Sequence, residues 1–319
     1  MKKVLITGAF GYLGARLSKH LAEKGYNVTA FGSYEPSNYI EWISLMDEII
    51  IGDVRDESAI SRLADKNFDV VIHLISLDHY KSENNPNFVS SINVMPTWIL
   101  LDKFTKNGLK KFIYFSTIHV YGNLPREIIT ENQTPEPINV YGLTHFLSEN
   151  ICNYFNDKTE TECINIRLSN SYGSPIFKEN NCWWLVINDL CRTAFEKHKI
   201  KLLSDGSPQR DFIHGDDIVA AIDILINYNC KNGNNIFHIS SGQTLTILEL
   251  AHLVKDVYFK KWKKEIDIYF PDNSVSEYPD KFKKLEKYVI NNRRIKNLGF
   301  QQKTSLESGI NEIFEYFGS

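Results

Sequence analysis

The 319-residue sequence predicts an α/β fold in which a doubly wound parallel sheet carries helices on both faces. Two observations lead to this prediction: short, continuous apolar runs recur through the first half of the chain, and amphipathic stretches separate them. The crossovers should be right-handed. From about residue 175 the alternation changes to helices between shorter strands, so we expect a smaller C-terminal α/β lobe.

The elements follow in order along the chain. Apolar runs predict strands at 3–7, 27–31, 48–51, 69–75, 111–116 and 162–168. Amphipathic stretches predict helices at 11–24, 56–66, 86–107, 139–156, 182–197, 215–228 and 246–259. A capped amphipathic helix is predicted at 304–317, and the polar segment 270–284 is predicted to be mobile.

Composition excludes several classes of protein. The chain is 43% hydrophobic with a net charge of −3, which argues against a mainly disordered chain and against nucleic-acid binding through bulk charge. No stretch approaches the roughly 18 apolar residues of a membrane span. The five cysteines show no CxxC pairing or metal-ligand spacing. We therefore expect a cytoplasmic protein with reduced thiols, no membrane or nucleic-acid partner and no metal site.

The first strand runs directly into a glycine-rich loop, "ITGAFGYLGARL", at the start of a helix. Gly8 allows a tight turn, Gly11 lets backbone approach a pyrophosphate, and Gly14 lets the helix pack on the strand. The helix N-terminus then meets the phosphate charge. The loop predicts a Rossmann-type dinucleotide site, and its alternative is a glycine-rich turn without a ligand. The remaining loop positions assigned to this site are Phe10, Tyr12 and Leu13.

The residues at the ends of the second and third strands do not identify the dinucleotide. An acidic side chain normally ends the second strand of NAD-binding proteins, but Gly32 and Ser33 stand there and the nearest acid is Glu35. NAD and NADP are therefore both possible cofactors. Asp53 follows the third strand, where it would either accept from the adenine amino group or belong to a helix N-cap region. Val54 and Leu74, after the third and fourth strands, are assigned to the same site.

An ordered set of motifs resembles the extended short-chain dehydrogenase/reductases, in particular the nucleotide-sugar epimerase/dehydratase family. The motifs are "TGAFGYLG", "GDVRD", "VIHLIS", "INV", "FIYFSTIHVYG", "VYGLTH", "RLSNSYG" and "SPQRDFIHGDDIVAAI". The resemblance covers nearly the whole chain. It implies a seven-stranded Rossmann domain over 1–172, to which some later segments return, and a nucleotide-sugar-binding lobe over 173–319.

The resemblance also assigns catalytic positions. Thr117, four residues before the tyrosine of "VYG", matches the family's catalytic serine or threonine, although a strand-end cap is the alternative. Tyr141 matches the family's catalytic tyrosine, which exchanges a proton with a sugar hydroxyl. The family has a lysine four residues later that lowers the tyrosine pKa and holds the nicotinamide ribose, but this sequence has His145. Residues four apart on a helix are neighbours, so Tyr141 and His145 should meet.

Three interpretations of His145 remain. A neutral imidazole bonds the ribose hydroxyls but supplies no permanent charge, which leaves the tyrosine less activated. Alternatively, the site favours reduction, because a protonated phenol is already a proton donor. In the third interpretation the site has lost catalysis and only binds dinucleotide.

The residues after Thr117 bear on the reaction type. Dehydratases of the family have an Asp–Glu pair there, whereas this chain has Ile118 and His119. Because Ile118 has no proton to give, we do not expect elimination of water. His119 is the candidate auxiliary acid or base, and a packed histidine is the alternative.

On the substrate side, the resemblance assigns Asn170 and Arg210 to the nucleotide-sugar phosphates, and guanidinium suits that role. Trp183 and Trp184 either stack on the base or pack the lobe. Helices 86–107 and 139–156 would form the homodimer that is common in the family.

The expected function is therefore NAD(P)-dependent hydride transfer at a sugar carbinol or ketone, at C4, in a nucleotide-diphosphate sugar. A 4-epimerase is favoured. The alternatives are a one-way C4 dehydrogenase or 4-keto reductase, and a non-catalytic dinucleotide-binding module.

Overall fold

A seven-stranded sheet is the centre of the computed structural model, which describes residues 1–34, 36–124, 127–231, 233–272 and 286–318. All its strand pairs are parallel. The strands are β1 (Lys3–Thr7), β2 (Asn27–Gly32), β3 (Glu48–Ile51), β4 (Val70–His73), β5 (Lys111–Thr117), β7 (Glu162–Leu168) and β11 (Ile236–Ile239). Their order in the sheet is β3-β2-β1-β4-β5-β7-β11. Strands β2 and β3 are added on one side of β1 and the later strands on the other, so the strand order switches between β1 and β4. The fold-class prediction is confirmed, and β11 is a late segment that returns to the sheet.

Short strands form three smaller sheets beside the main one. These strands are β6 (Ile128–Ile129), β8 (Asn170–Tyr172), β9 (Lys199–Lys201), β10 (Gln209–His214), β12 (Thr244–Thr246), β13 (Asp267–Tyr269) and β14 (Val289–Ile290). They pair as β12-β10-β8, β13-β9 and β14-β6. The segment 270–284, which the sequence predicts to be mobile, lies mostly outside the described residues.

Helices cover both faces of the main sheet and build the C-terminal lobe. They are α1 (Tyr12–Glu23), α2 (Ile40–Leu45), α3 (Glu57–Ala64), α4 (Pro86–Asn93), α5 (Met95–Lys106), α6 (Val140–Lys158), α7 (Val186–Lys197), α8 (Gly215–Asn227), α9 (Ile247–Trp262), α10 (Arg293–Asn297) and α11 (Leu306–Gly318). Among the described residues, none of these helices combines the length and apolar character needed to cross a bilayer.

The prediction of one continuous helix over 86–107 is wrong, because the helix is interrupted at Val94, between α4 and α5. Pro96 lies at the start of α5, where it has no N–H to continue the hydrogen bonds of α4. Proline is well suited to a first helical turn, so the same residue ends one helix and begins the next.

Two apolar clusters cover the faces of the main sheet, and a third fills the C-terminal lobe. The lobe cluster brings α7, α9 and α11 together around buried side chains such as Ile187, Val254 and Phe314. Polar contacts join α11 to the main sheet's helices. Glu312 on α11 accepts from the Arg16 guanidinium at 3.1 Å and lies 2.8 Å from His214 Nε2. The lobe is thereby fixed beside the start of α1, where the glycine loop lies.

Candidate active site

The glycine loop is shaped so that side chains are excluded. Gly8 has φ +78°, a left-handed conformation that favours glycine. A Cβ at Gly14 would lie 2.0 Å from the Gly8 carbonyl oxygen, and one at Gly11 would lie 3.2 Å from it. Helix α1 has no side-chain cap and no acid in its first turn. Its amide groups therefore remain available for an anion, as a dinucleotide pyrophosphate requires.

Two cavities adjoin this loop. The first, about 260 Å³, has Gly8, Gly11 and Gly14 on one side and Tyr141 and His145 on the other. Tyr12, Leu13 and Leu74 also line it. The second, about 360 Å³, extends past Phe10 to the ends of β2 and β3, where Asp53 and Val54 lie. The predicted cofactor residues therefore surround one continuous region, and the residues present fit a dinucleotide.

The end of β2 has no room for an acidic side chain. A Cβ at Gly32 would lie 2.3 Å from Cδ2 of Phe10, so the Phe10 ring fills the space. Next to it, the Tyr34 hydroxyl donates to the Phe10 carbonyl. Glu35, the nearest acid in the sequence, lies outside the described residues. This replacement of an acid by an aromatic ring depends on a contact between two loops, which the sequence pattern did not reveal.

Asp53 faces the same cavity with its carboxylate already paired. Its oxygens accept from Arg55 Nε at 2.9 Å, and Oδ1 accepts from the Arg55 amide at 2.9 Å. The hydrogen bond from Arg55 lowers the pKa of Asp53. Its contact with an adenine stays a prediction.

The start of α6 approaches β5 closely enough for Tyr141 to meet Thr117. Asn139 caps the helix by accepting from the Gly142 amide at 2.8 Å. A Cβ at Gly142 would lie 2.4 Å from the carbonyl oxygen of His119, so glycine permits this approach. The Thr117 side chain, 4% exposed, hydrogen-bonds Tyr141 and also accepts from the His119 amide at 3.2 Å. Thr117 therefore has both of its predicted roles available, strand-end cap and partner of the phenol.

Burial, with a smaller contribution from the Asp78 carboxylate, raises the pKa of Tyr141 to about 12, although the hydrogen bond with Thr117 opposes this shift. The phenol is therefore protonated at neutral pH.

His145 lies directly beside this phenol. The two ring centroids are 4.5 Å apart at 68°, as the four-residue spacing predicts. Burial lowers the pKa of His145 to about 3, and His119 adds to the shift, so the imidazole is neutral. Its Nδ1 lies 2.8 Å from the Tyr114 hydroxyl, while Nε2 has no hydrogen-bond partner within the described part of the chain. When Tyr114 donates to Nδ1, Nε2 carries the proton and offers one donor to a ligand.

A third cavity, of about 570 Å³, is lined by Ile118 and His119, the two residues that follow Thr117. Asn170 and Arg210 line it, as predicted, and so does His79. Asn170 Nδ2 donates to the Asp211 carbonyl at 2.8 Å, whereas the exposed Arg210 has an internal contact with the Gln209 carbonyl at 2.7 Å. Sequence reasoning missed His79, because it lies in the loop after β4 and no local pattern marks it.

The two tryptophans separate into different roles. Trp183 packs on Tyr316 and Phe317 of α11, with ring centroids 5.6 and 4.9 Å away, which supports the lobe-packing alternative. Trp184 is 47% exposed and forms part of the outer wall of the 260 Å³ cavity.

Comparisons with known proteins identify the family of this chain. The family model described as NAD dependent epimerase/dehydratase matches residues 4–240. The chain belongs to this family. It is therefore an enzyme of NAD-dependent nucleotide-sugar chemistry, with a nicotinamide dinucleotide as its cofactor.

Individual relatives are distant but collinear with the chain. A dTDP-L-rhamnose 4-epimerase from Burkholderia thailandensis is 25% identical over 98% of this chain and 94% of its own. A UDP-glucose 4-epimerase from Thermotoga maritima, solved with UDP-glucose, has a TM-score of 0.82 at 25% identity, covering 99% and 98% of the two chains. A UDP-glucuronic acid 4-epimerase from Bacillus cereus, solved with UDP-glucuronic acid and NAD, has a TM-score of 0.81 at 22% identity and 99% coverage of each chain.

Proposed function

We propose that the protein is a nucleotide-sugar 4-epimerase that acts by hydride transfer at C4. One observation carries the proposal: Tyr141 lines the dinucleotide region, and its ring also meets His79 and His119 of the neighbouring cavity of about 570 Å³, so the phenol lies at the boundary between the two. A proton-transfer group at that boundary reaches both a nicotinamide ring and a sugar. The 4-epimerase names of the relatives support the same reaction, but their bases and sugars differ.

Each residue has a distinct part in the proposed mechanism. The bound nicotinamide supplies or accepts the hydride. Tyr141 Oη takes the proton of the sugar hydroxyl during oxidation and returns it during reduction. Thr117 Oγ1 binds the same sugar oxygen, and His145 Nε2 holds the ribose of the cofactor. Asn170 and Arg210 bind the diphosphate of the substrate, and the Arg210 guanidinium suits this because it forks onto phosphate oxygens.

A one-way 4-keto reductase is the second candidate, because one observation favours it. The phenol of Tyr141, with its pKa raised to about 12, is a ready proton donor and a weak base. A reductase needs only the donor. An epimerase must also remove a proton in its first half-reaction.

Cofactor absorbance separates the candidates. The purified protein is mixed with UDP- and dTDP-hexoses and their 4-keto-6-deoxy derivatives while the reduced-nicotinamide band is recorded. An epimerase gives the C4 epimer without net consumption of cofactor, whereas a reductase consumes one reduced nicotinamide for each ketone. Tyr141→Phe should abolish either reaction, and Tyr154→Phe, an exposed tyrosine on the same helix, is the matched control. No redox change with any sugar, in a protein that binds the dinucleotide, would refute the proposal.

We also propose a homodimer through α4, α5 and α6. These helices expose large apolar side chains, namely Phe88, Met95, Trp98, Leu143, Leu147 and Tyr154, each at least 40% accessible. Exposed aromatic and aliphatic side chains of this kind are typical of association surfaces. Sedimentation of Trp98→Glu should give a monomer where the parent protein gives a dimer.

A further inference from the structure

The 570 Å³ cavity contains two imidazoles that hydride transfer at C4 does not use. The rings of His79 and His119 are stacked at 27° with centroids 6.0 Å apart. Each also meets Tyr141 edge-on, His119 at 5.6 Å and His79 at 6.3 Å. Three groups able to carry a proton therefore lie in mutual contact where the two histidines line the cavity, whereas C4 chemistry needs only the phenol.

Both imidazoles are available for chemistry. Among the described residues neither ring takes part in a hydrogen bond or ion pair. His79 is exposed and His119 is partly buried. Burial lowers the pKa of His119 to about 4, and the Arg210 and His79 charges contribute, so His119 is a neutral base at pH 7.

The other described residues that line this cavity offer no carboxylate that could act as a base in place of the two histidines. They include the cation Arg210 and several amides. The neutral imidazole of His119 is thus the base that this lining offers. A histidine that only packs would be enclosed by apolar neighbours, whereas these two face the space assigned to the sugar.

A ketone at C4 makes this arrangement reactive, because hydrogens on the two adjacent carbons become acidic. We propose that the cavity also enolises the 4-keto sugar, with His119 as the base that removes a proton from a carbon next to C4. The inference rests on the proposed function, which supplies the ketone. The C–H electron pair moves into a C=C bond, and the C=O electrons move to the oxygen, which the Thr117 and Tyr141 hydroxyls stabilise. His119 or His79 then returns a proton to carbon, so hydrogen is exchanged with solvent or the carbon is inverted, and no oxidant is needed.

The test supplies the ketone directly. The protein with bound oxidised NAD is incubated in D₂O with UDP- or dTDP-4-keto-6-deoxyglucose, and deuterium at C3 and C5 is followed by NMR. Exchange should exceed the rate in buffer alone. His119→Gln should lower it by about a hundredfold, the usual contribution of a general base. His20→Gln, which lies outside all three cavities, should leave it unchanged. A parallel sample with NADH measures reduction of the same ketone.

The outcomes distinguish this inference from the proposed function. Exchange that falls more than reduction does in His119→Gln supports the inference. Reduction of the ketone without exchange above buffer overturns the inference and leaves the proposed function standing. Exchange without any redox reaction supports the inference and overturns the proposed function. The absence of exchange and of reduction overturns the inference and the proposed function together. Undiminished exchange in His119→Gln, in a variant with the parent melting temperature, would refute the assignment of the base.

Discussion

Replacing His145 by lysine should activate the phenol next to it. His145 is 2% exposed, its ring lies 4.5 Å from that of Tyr141, and it is uncharged. His145→Lys would place an ammonium where the chain has a neutral donor. An opposite charge close to a phenol favours the phenolate, so the pKa of Tyr141 should fall.

The size of this effect follows from the spacing. With an effective dielectric constant of about 20 and a charge separation of roughly 6 Å, the attraction is about 2.8 kcal/mol, or about two pKa units. The pKa of Tyr141, about 12 in the parent protein, would fall to about 10. At pH 8 the phenolate fraction, and with it the oxidation rate, would rise about a hundredfold. Burial of the ammonium should cost several kcal/mol of stability.

The pH dependence of each half-reaction is the assay. Oxidation of the sugar needs phenolate, so its rate should rise with pH up to the Tyr141 pKa, and His145→Lys should move that rise about two units lower. Reduction uses the protonated phenol and should change little below that pKa. His145→Gln keeps a neutral donor and is the control, with the parent pH profile expected. If His145→Lys loses bound cofactor while folded, or keeps the parent profile, the role assigned to charge at this position is wrong.

Three further predictions follow from the loop and the core. Gly14→Ala puts a Cβ 2.0 Å from the Gly8 carbonyl oxygen, so dinucleotide affinity measured by titration should fall at least about tenfold, with about 1–3 kcal/mol of stability lost. Phe10→Ala combined with Gly32→Asp makes room for the missing acid, and the ratio of NADP to NAD dissociation constants should rise about tenfold. Burial lowers the pKa of His73 and of His238 to about 3, below the unfolded value near 6.5. In that interval the unfolded chain binds more protons, so these two histidines alone should lower the free energy of unfolding by up to about 2.7 kcal/mol per pH unit as acid is added below pH 6.5, as urea titrations at pH 7 and 5 would measure.

The parts of this molecule that sequence predicts well are those set by local pattern. Continuous apolar runs identify the strands of a sheet that is buried on both faces, and all six predicted strands occur. The meeting of Tyr141 and His145 follows from helical spacing alone. The predicted strand 69–75 ends early, at His73, because Leu74 turns into the wall of the dinucleotide region.

The sequence pattern could not predict contacts between segments that are distant in the chain. The exclusion of an acid at Gly32 depends on Phe10 from another loop, and neither residue signals it alone. The pairing of His79 with His119 arises because the ends of β4 and β5 are neighbours in the sheet. The ion pair of Asp53 with Arg55 is local, but its geometry depends on side-chain conformation. Contacts of this kind can be identified only once the three-dimensional structure is known.

The loss of the lysine changes how proton and hydride transfer depend on each other. The described residues that line the 260 Å³ cavity include Asp78 but no lysine or arginine, so no positively charged side chain there stabilises a phenolate at Tyr141. A bound oxidised nicotinamide would bring a positive charge near Tyr141, and hydride transfer to it would remove that charge. Tyr141 would then keep the proton that it had taken from the sugar. Under the proposed function, the state with a phenolate and oxidised cofactor would be disfavoured without a resident cation, and the state with a neutral phenol and a ketone would be favoured. A longer-lived ketone is the species that adjacent bases such as His119 can act on.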